Sequence, residues 1–324
     1  MKVTRAIHPR VWIVVALVTL ARLLSANNSS YQQSVEKWRH DYENYLTADD
    51  GWLTVSGLFW LHEGENRFGS DPLSDITLPA ASAPASAGYF EYRGAKVVVH
   101  LNPGVKATLN GNPIQEAELH PYLRPHQNAG VQATMNATPK EAESRPDSAD
   151  ERVVMGDLTL YVHASGNRFA IRVKDKNNKR RRNYAGSQWF PIDESYRFTA
   201  HYTPYDSPKQ LETQNVLGDP EKVSVVGYVT FSLRGQEYRL DAEALGSGGL
   251  FFVFRDLTSG KQTYPAARFL ASQAPKEGRV EVDFNKAYNP PCAYNPYTTC
   301  PLPLPGNRLR VEIPAGEKIY QHEH

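Results

Sequence analysis

Apolar side chains follow two rhythms along this chain. Tyr31, Val35, Trp38, Tyr42, Tyr45 and Leu46 are separated mainly by three and four positions, which lines them along one stripe of an amphipathic helix over residues 27–50. Asp49-Asp50-Gly51 ends that helix, and Trp52 to Trp60 reads as an extended, largely buried segment. From there the rhythm shortens. Ile76 to Leu78, Tyr89 to Tyr92, Lys96 to Leu101, Val105 to Leu109, Leu158 to His163 and Phe169 to Val173 are short alternating or β-branched runs. Arg93-Gly94, Asn110-Gly111 and Gly166-Asn167 lie between them and supply the positive backbone angles of tight reversals.

A second β group starts near Tyr196. Val223 to Leu233 and Glu237 to Leu240, joined across Arg234-Gly235, form its clearest hairpin, and Leu250 to Phe254, Val280 to Phe284 and Leu309 to Ile313 complete it. Between Asn136 and Glu151 the composition turns to Pro, Ser, Ala and mixed charge without apolar period, as in a solvated insertion. The expected fold is all-β, with two packed β domains preceded by one amphipathic helix. The first, over 51–185, is a sandwich; the second, over 186–324, is a barrel or sandwich carrying a Pro/Cys loop. A chain of 324 residues is long enough for two such cores.

The amino terminus changes the picture of where the protein works. Lys2, Arg5 and Arg10 precede an apolar run from Val11 to Ala21, and Ser25 and Ala26 follow it. The run is too short for the about 20 residues that cross a bilayer as a helix, so 1–26 reads as a signal peptide. An uncleaved anchor is the alternative, and would be the only membrane contact. Cleavage removes four cations (Lys2, Arg5, Arg10, Arg22) and no acid, taking the formal charge from +1 to −3. The protein is therefore expected to be periplasmic or secreted, and the near-neutral balance gives no global field for nucleic acid.

The only two cysteines, Cys292 and Cys300, sit in one proline-rich stretch, and in an oxidising compartment they are expected to be bridged. Free thiols and a zinc site are the alternatives, although no histidine lies between His201 and His322 to complete a ligand set. The run DFNKAYNPPCAYNPYTTCPLP from Asp283 to Pro303 resembles the bacterial family of unknown function DUF1684. Gly51-Trp52-Leu53-Thr54 through Gly57-Leu58-Phe59-Trp60, Trp189-Phe190-Pro191, Asn307-Arg308-Leu309 and Ala315-Gly316-Glu317 extend the resemblance over nearly all of the mature chain. It implies an exported bacterial protein and supplies no catalytic residues.

In the amino-terminal half, Phe68-Gly69-Ser70, Asp75-Ile76-Thr77-Leu78, Ser86 and Asn110-Gly111 are similar to the order met in forkhead-associated sandwiches. That family's phosphothreonine site would need an arginine where Ser70 stands and a histidine where Tyr89 stands. The likeness thus implies a fold without the fixed countercharge a phosphate requires.

Catalytic signatures are absent: there is no His-Glu-x-x-His, phosphate-binding glycine loop, nucleophile elbow or paired Cys-x-x-Cys. Gly246-Ser247-Gly248-Gly249 is a turn before a strand. The chemistry-bearing stretch is Asp256 to Cys300, whose four prolines beside the cysteines forbid helix or interior strand. Two readings follow. In one, Asp283, Asn285, Asn289 and Asn295 satisfy the loop's backbone while Arg268 pairs with Asp256 or Asp283. In the other, the loop walls a ligand site: Arg268 holds an anionic group, Asp256 or Asp283 acts as acid or base, Tyr264 and Tyr288 line it, and Asn285 and Asn289 contribute.

Lys174, Lys176, Lys179, Arg180, Arg181 and Arg182 against Asp175 form a basic loop. It reads as a solvated tip or a contact for phosphate-bearing envelope material. His62-Glu63-Gly64-Glu65 reads as a turn and His322-Glu323-His324 as a frayed tail; no metal or cofactor is expected. The function expected is an exported ligand-binding or structural β protein with its site beside 256–300, its ligand a small molecule or envelope component. The alternative is a metal-independent hydrolase or lyase using an Asp with Arg or Tyr there.

Overall fold

The computed structural model describes residues 29–121, 151–246 and 248–321. The proposed signal peptide, nearly all of the insertion and the His322-Glu323-His324 tail lie outside them. Within them the chain is mostly β, with a helix α1 over residues 29–47. The stripe read from the sequence is the buried face: Tyr31, Val35, Tyr42 and Leu46 are buried, with Trp38 and Tyr45 at its margin. The helix ends where Gly51 folds back against it. A Cβ at Gly51 would lie 2.3 Å from the Leu46 carbonyl oxygen, so only glycine permits the approach. The next residues depart from the extended segment expected. Trp52–Thr54 is a 3-10 turn whose Thr54 hydroxyl donates to the Gly51 carbonyl, and the strand begins only at Val55.

Among the described residues eleven strands follow in two sheets. In chain order they are β1 (Val55–Trp60), β2 (Gly64–Gly69), β3 (Ile76–Thr77), β4 (Gly88–Arg93), β5 (Lys96–Leu101), β6 (Ala107–Leu109), β7 (Asn112–Ile114), β8 (Glu116–Leu119), β9 (Val153–Met155), β10 (Leu158–Ser165) and β11 (Arg168–Asp175). One sheet runs β1-β11-β10-β9-β6-β7 and the other β3-β2-β4-β5-β8. Phe68, Phe90, Val97 and Val99 of the second meet Leu158, Leu160, Val162, Ile171 and Val173 of the first in a common core. Alternate residues of each strand point to that core, which explains the period of two in the sequence. β2 is a strand the sequence pattern does not show, and the turn expected over 62–65 already starts it at Gly64. Asn66 organises it: its amide accepts from the His62 N–H and donates to the His62 and Gly64 carbonyls.

The third sheet is formed by β12 (Arg197–Gln214), β13 (Pro220–Leu233), β14 (Gln236–Ala244), β15 (Leu250–Phe254), β16 (Arg268–Ser272) and β17 (Arg279–Asp283). Its order is β16-β15-β14-β13-β12-β17, all antiparallel, and the two edge strands β16 and β17 lie against each other, curling the sheet into a partial barrel. The predicted hairpin turn has φ of 54° at Arg234 and 77° at Gly235, the twist that suits a two-residue reversal. β12 starts where the second β group is expected, near Tyr196, but its length leaves no pattern in the sequence because it is largely exposed and carries two prolines.

β15 is buried on both sides. Phe252 and Phe254 face the barrel core with Val229, Leu240, Val282 and Phe284, whereas Phe251 and Val253 face α1 and the Pro/Cys loop. Leu309 to Ile313 is not the strand expected. Leu309, Val311 and Ile313 enter the barrel core, but the segment is irregular and held by separate bonds, such as Leu309 N–H to the Arg255 carbonyl and Leu257 N–H to the Val311 carbonyl. No helix among the described residues is long and apolar enough to cross a membrane.

Candidate functional site

The structure splits the seven predicted site residues into separate groups. Arg268, at the start of β16, and Asp256, just past β15, form an ion pair at 2.8 Å with both side chains fully buried. The rest of each side chain is spent on the backbone. Arg268 donates to the carbonyls of Ile313 and Ala315, and Asp256 accepts from the N–H of Ile313 and Thr258 and from the Thr258 hydroxyl. Burial pushes the guanidinium's proton affinity down and Asp256 pushes it back up. The pair is a clamp on residues 313–315.

Asp283, Asn285 and Tyr31 form a second group, where α1 meets the end of β17. The Tyr31 hydroxyl donates to Asp283 Oδ1 at 2.9 Å; the Asn285 amide donates to the Tyr31 oxygen and the Asp193 carbonyl, and accepts from the Asp193 N–H. Burial, then the Asp283 charge, raise the Tyr31 hydroxyl far above its ordinary value. Tyr264 donates to the Cys292 carbonyl at 3.0 Å. Tyr288 is buried among Trp38, Tyr42 and Phe269, its hydroxyl without a partner. Asn289 donates from its amide to the Lys318 carbonyl.

Cys292 and Cys300 are free thiols in the structure, so the expected bridge is not formed. They are neighbours all the same: the Cys292 N–H donates to Cys300 Sγ at 3.3 Å, and the hydrogen bond between the two side chains is the main cause pushing the Cys292 thiol up. The turn Pro291–Ala293 makes this approach possible, its prolines holding the chain in a tight 3-10 conformation. No cluster of three or more His, Cys, Asp or Glu side chains able to hold a metal occurs among the described residues.

A residue that sequence reasoning passed over lies at the centre of the α1 interface. Glu317 is fully buried, and no lysine, arginine or histidine among the described residues pairs with it. Its Oε1 lies 2.6 Å from the Ser187 hydroxyl and 2.5 Å from the Tyr294 hydroxyl, and its Oε2 accepts from the Asn289 N–H at 2.7 Å. Burial raises its carboxyl to about 7, against the opposing pull of those donors. Its sequence context, Ala315-Gly316-Glu317, carries no sign of this, because burial of an isolated acid is decided by partners far away in the chain.

An open concavity lies elsewhere. A cleft of about 800 Å³ runs between the turn at Pro79 to Ser82 and the basic segment, with Tyr320 at one end. The basic segment is not a loop: Lys179–Arg182 is one turn of helix, α2, capped by the Asn178 side chain, which accepts from the Arg180 N–H. Its cations divide by role. Arg181 turns inward, donating to the Thr47 carbonyl and Asp49, and Lys176 also faces Asp49, whose carboxyl the Arg181 hydrogen bond holds below its usual range. Lys179, Arg180 and Arg182 line the cleft, and none has an acidic partner among the described residues. Asp175, the one acid on the wall, is occupied by Ser82 and the Asn177 N–H.

The Pro/Cys loop is the cleft's neighbour. Tyr297 lies beneath the Arg180 guanidinium at 5.6 Å, and Tyr294 packs on Tyr320 at 4.9 Å. None of the seven predicted site residues lines the cleft. The sequence signal that could have found it was the density of cations at 174–182, which does not reveal which of them are paired.

A family model described as "Protein of unknown function (DUF1684)" matches residues 182–318, so the resemblance covers the second β group and the Pro/Cys loop rather than nearly the whole mature chain. An uncharacterized protein of Haloarcula marismortui, solved by solution NMR, is 32% identical over 43% of this chain and 78% of its own, with a TM-score of 0.36. Two FHA-domain structures are similar at lower identity. One, from work on phosphothreonine-dependent FHA interactions, is 14% identical over 36% of this chain and 92% of its own; the other, the FhaA FHA domain in a complex, is 15% identical over 36% and 97%, each with a TM-score of 0.21. Comparison with curated proteins finds no match.

Proposed function

This chain belongs, through residues 182–318, to the DUF1684 family, whose activity is unassigned, and we propose that it is a binding protein for an anionic ligand held in the cleft beside α2 and the Pro/Cys loop. The observation that carries this is the set of three cations, Lys179, Arg180 and Arg182, brought to one wall of a concave surface with a single acid, Asp175, and in no ion pair among the described residues. Like charges this close repel one another, and an anion relieves that repulsion while accepting charge-assisted hydrogen bonds. Tyr320 supplies flat apolar surface in the same cleft, which suits a ligand with both a charged group and a ring or sugar. Arg268, Asp256 and Asp283 serve the scaffold in this reading.

Isothermal titration with inorganic phosphate, a sugar monophosphate and a dicarboxylate is the direct test. At low salt one of these is expected to bind, and the K179A/R180A/R182A variant to bind it about 100-fold more weakly, with the wild-type affinity falling as salt is added. All three side chains reach solvent, so the variant keeps its fold. An unchanged affinity in the variant, or binding by none of the three anions, removes the proposal.

Export is the second part of this reading, supported by the charge and apolar pattern of residues 1–26. Outside the cytoplasm the adjacent thiols of Cys292 and Cys300 would be oxidised to a bridge, contributing about 2 to 3 kcal/mol on the chain-entropy account. Protein recovered from the periplasm should then show no thiol reactive to a maleimide after denaturation, and reduction should lower its melting temperature by several degrees. Two titratable thiols in that preparation would contradict it.

A further inference from the structure

Around Glu317 the protons can be counted. The hydroxyls of Tyr184 and Ser187 are 2.7 Å apart, Ser187 is 2.6 Å and Tyr294 2.5 Å from Glu317 Oε1, Tyr294 and Tyr42 are 3.1 Å apart, and Tyr42 is 3.0 Å from the Asn289 carbonyl oxygen. Each of these five contacts is within hydrogen-bond range, and each needs one proton. The four hydroxyls bring four. With Glu317 ionised, Ser187 and Tyr294 must both donate to it, so Tyr42 can donate either to Tyr294 or to Asn289, and one contact brings two oxygens together with no hydrogen between them. Leaving Tyr184 out does not help, since four contacts then share three protons. A carboxylic acid supplies the missing one: Glu317 donates to the Tyr294 oxygen, Tyr294 to Tyr42, and Tyr42 to the Asn289 carbonyl, while Asn289 N–H still donates to Oε2.

We infer that Glu317 is held as the neutral acid in the native protein, closing a proton-complete clasp that fastens α1, through Tyr42, to the Pro/Cys loop and the carboxyl-terminal segment. The surrounding charges agree. From α1, Arg39 is engaged by the carbonyls of Phe190 and Asn285 and stacked on Trp189, and Glu43 accepts from the Trp189 ring N–H. From the other elements packed here, Lys318 extends over Phe190, and Tyr184, Tyr288, Tyr294 and Tyr320 present neutral rings. No cation among the described residues forms an ion pair with Glu317; Arg39 feels its charge only as the smallest of its interactions. Burial without countercharge is also what lifts this acid from 4.5 to about 7.

The sign of the pH effect follows. The folded protein keeps a proton that the unfolded chain releases, so the acid's contribution is complete below its unfolded value of 4.5 and is lost as pH rises towards about 7. E317Q separates this from an ordinary buried charge, because a glutamine amide can donate to both Tyr294 and Ser187 while its oxygen accepts from Asn289. Melting curves of wild type and E317Q from about pH 5 to about pH 8 should show the wild type losing several degrees relative to the variant, with E317Q at least as stable at the upper end. The infrared spectrum at about pH 6 should contain a protonated-carboxyl band that E317Q lacks. Y42F removes two contacts and one proton, leaving three contacts for three hydroxyl protons and freeing Tyr294 to donate to Glu317, so it should move that band's loss to lower pH. An E317Q protein less stable than wild type throughout, or no such band, would show Glu317 to be an ionised structural acid and overturn the inference.

Discussion

Asp256→Ala is expected to destabilise the protein by about 3 to 5 kcal/mol, enough to abolish most of the stability of an ordinary domain. The reason is asymmetry. Arg268 is fully buried, its Nε already lacks a partner, and Asp256 is the one acid paired with it among the described residues. Removing the acid strands a guanidinium in a medium that cannot solvate it, and also releases the Ile313 N–H and the Thr258 turn. Replacing both partners, as in D256L/R268M, should recover much of the loss, because a well-packed apolar pair does not carry the desolvation cost of an ion pair. Urea unfolding of the two single variants and the double variant measures this as a thermodynamic cycle. Additive losses would mean that the two side chains act independently and that the clamp on residues 313–315 is not a unit.

Gly316→Ala should cost more than about 3 kcal/mol, for a reason of shape rather than charge. Gly316 has φ of +81°, and a Cβ there would meet the carbonyl oxygens of Ala287 at 2.4 Å and Phe284 at 2.7 Å. Both are backbone atoms, so the strand of chain must move, and with it two neighbours that have work to do: Ala315, which accepts from Arg268, and Glu317, whose N–H donates to the Ala287 carbonyl. Gly94→Ala is the control. Its φ is +62° but nothing lies within 4 Å of the added carbon, so only the left-handed backbone strain of about 1 kcal/mol applies. Equal losses in the two variants, measured by urea unfolding, would show that close approach contributes nothing at Gly316.

Both substitutions act on the irregular carboxyl-terminal segment that the sequence presents as a strand over Leu309 to Ile313: Asp256 holds the Ile313 N–H, and Gly316 follows three residues later. Its apolar residues, Leu309, Val311 and Ile313, alternate and are buried as a strand's would be. What makes it irregular is the way its backbone is satisfied, by the carboxylate and guanidinium of Asp256 and Arg268 and by isolated bonds to residues 255 and 257. Alternation predicts burial, and it cannot distinguish a ladder from side chains as the source of hydrogen bonds. The same limit applies to the basic segment. Six cations in nine positions are visible in the sequence, whereas the division between Arg181, bound to Asp49, and the unpaired Lys179, Arg180 and Arg182 depends on where α1 ends.

Taken alone, the amino-acid order determined the β character of the chain, the buried stripe of α1, the Arg234-Gly235 reversal and the ordered irregularity of the Pro/Cys loop. Each follows from local rules, in which side-chain period and permitted backbone angles are properties of a few consecutive residues. Only the tertiary structure decided which of Asp256 and Asp283 would pair with Arg268, that Tyr42 and Tyr294, 252 residues apart, would share a hydrogen-bond chain with Glu317, and which cations would remain open to a ligand. Those outcomes depend on burial and on the partner each polar group finds once water is excluded, and neither quantity exists until distant segments are packed together.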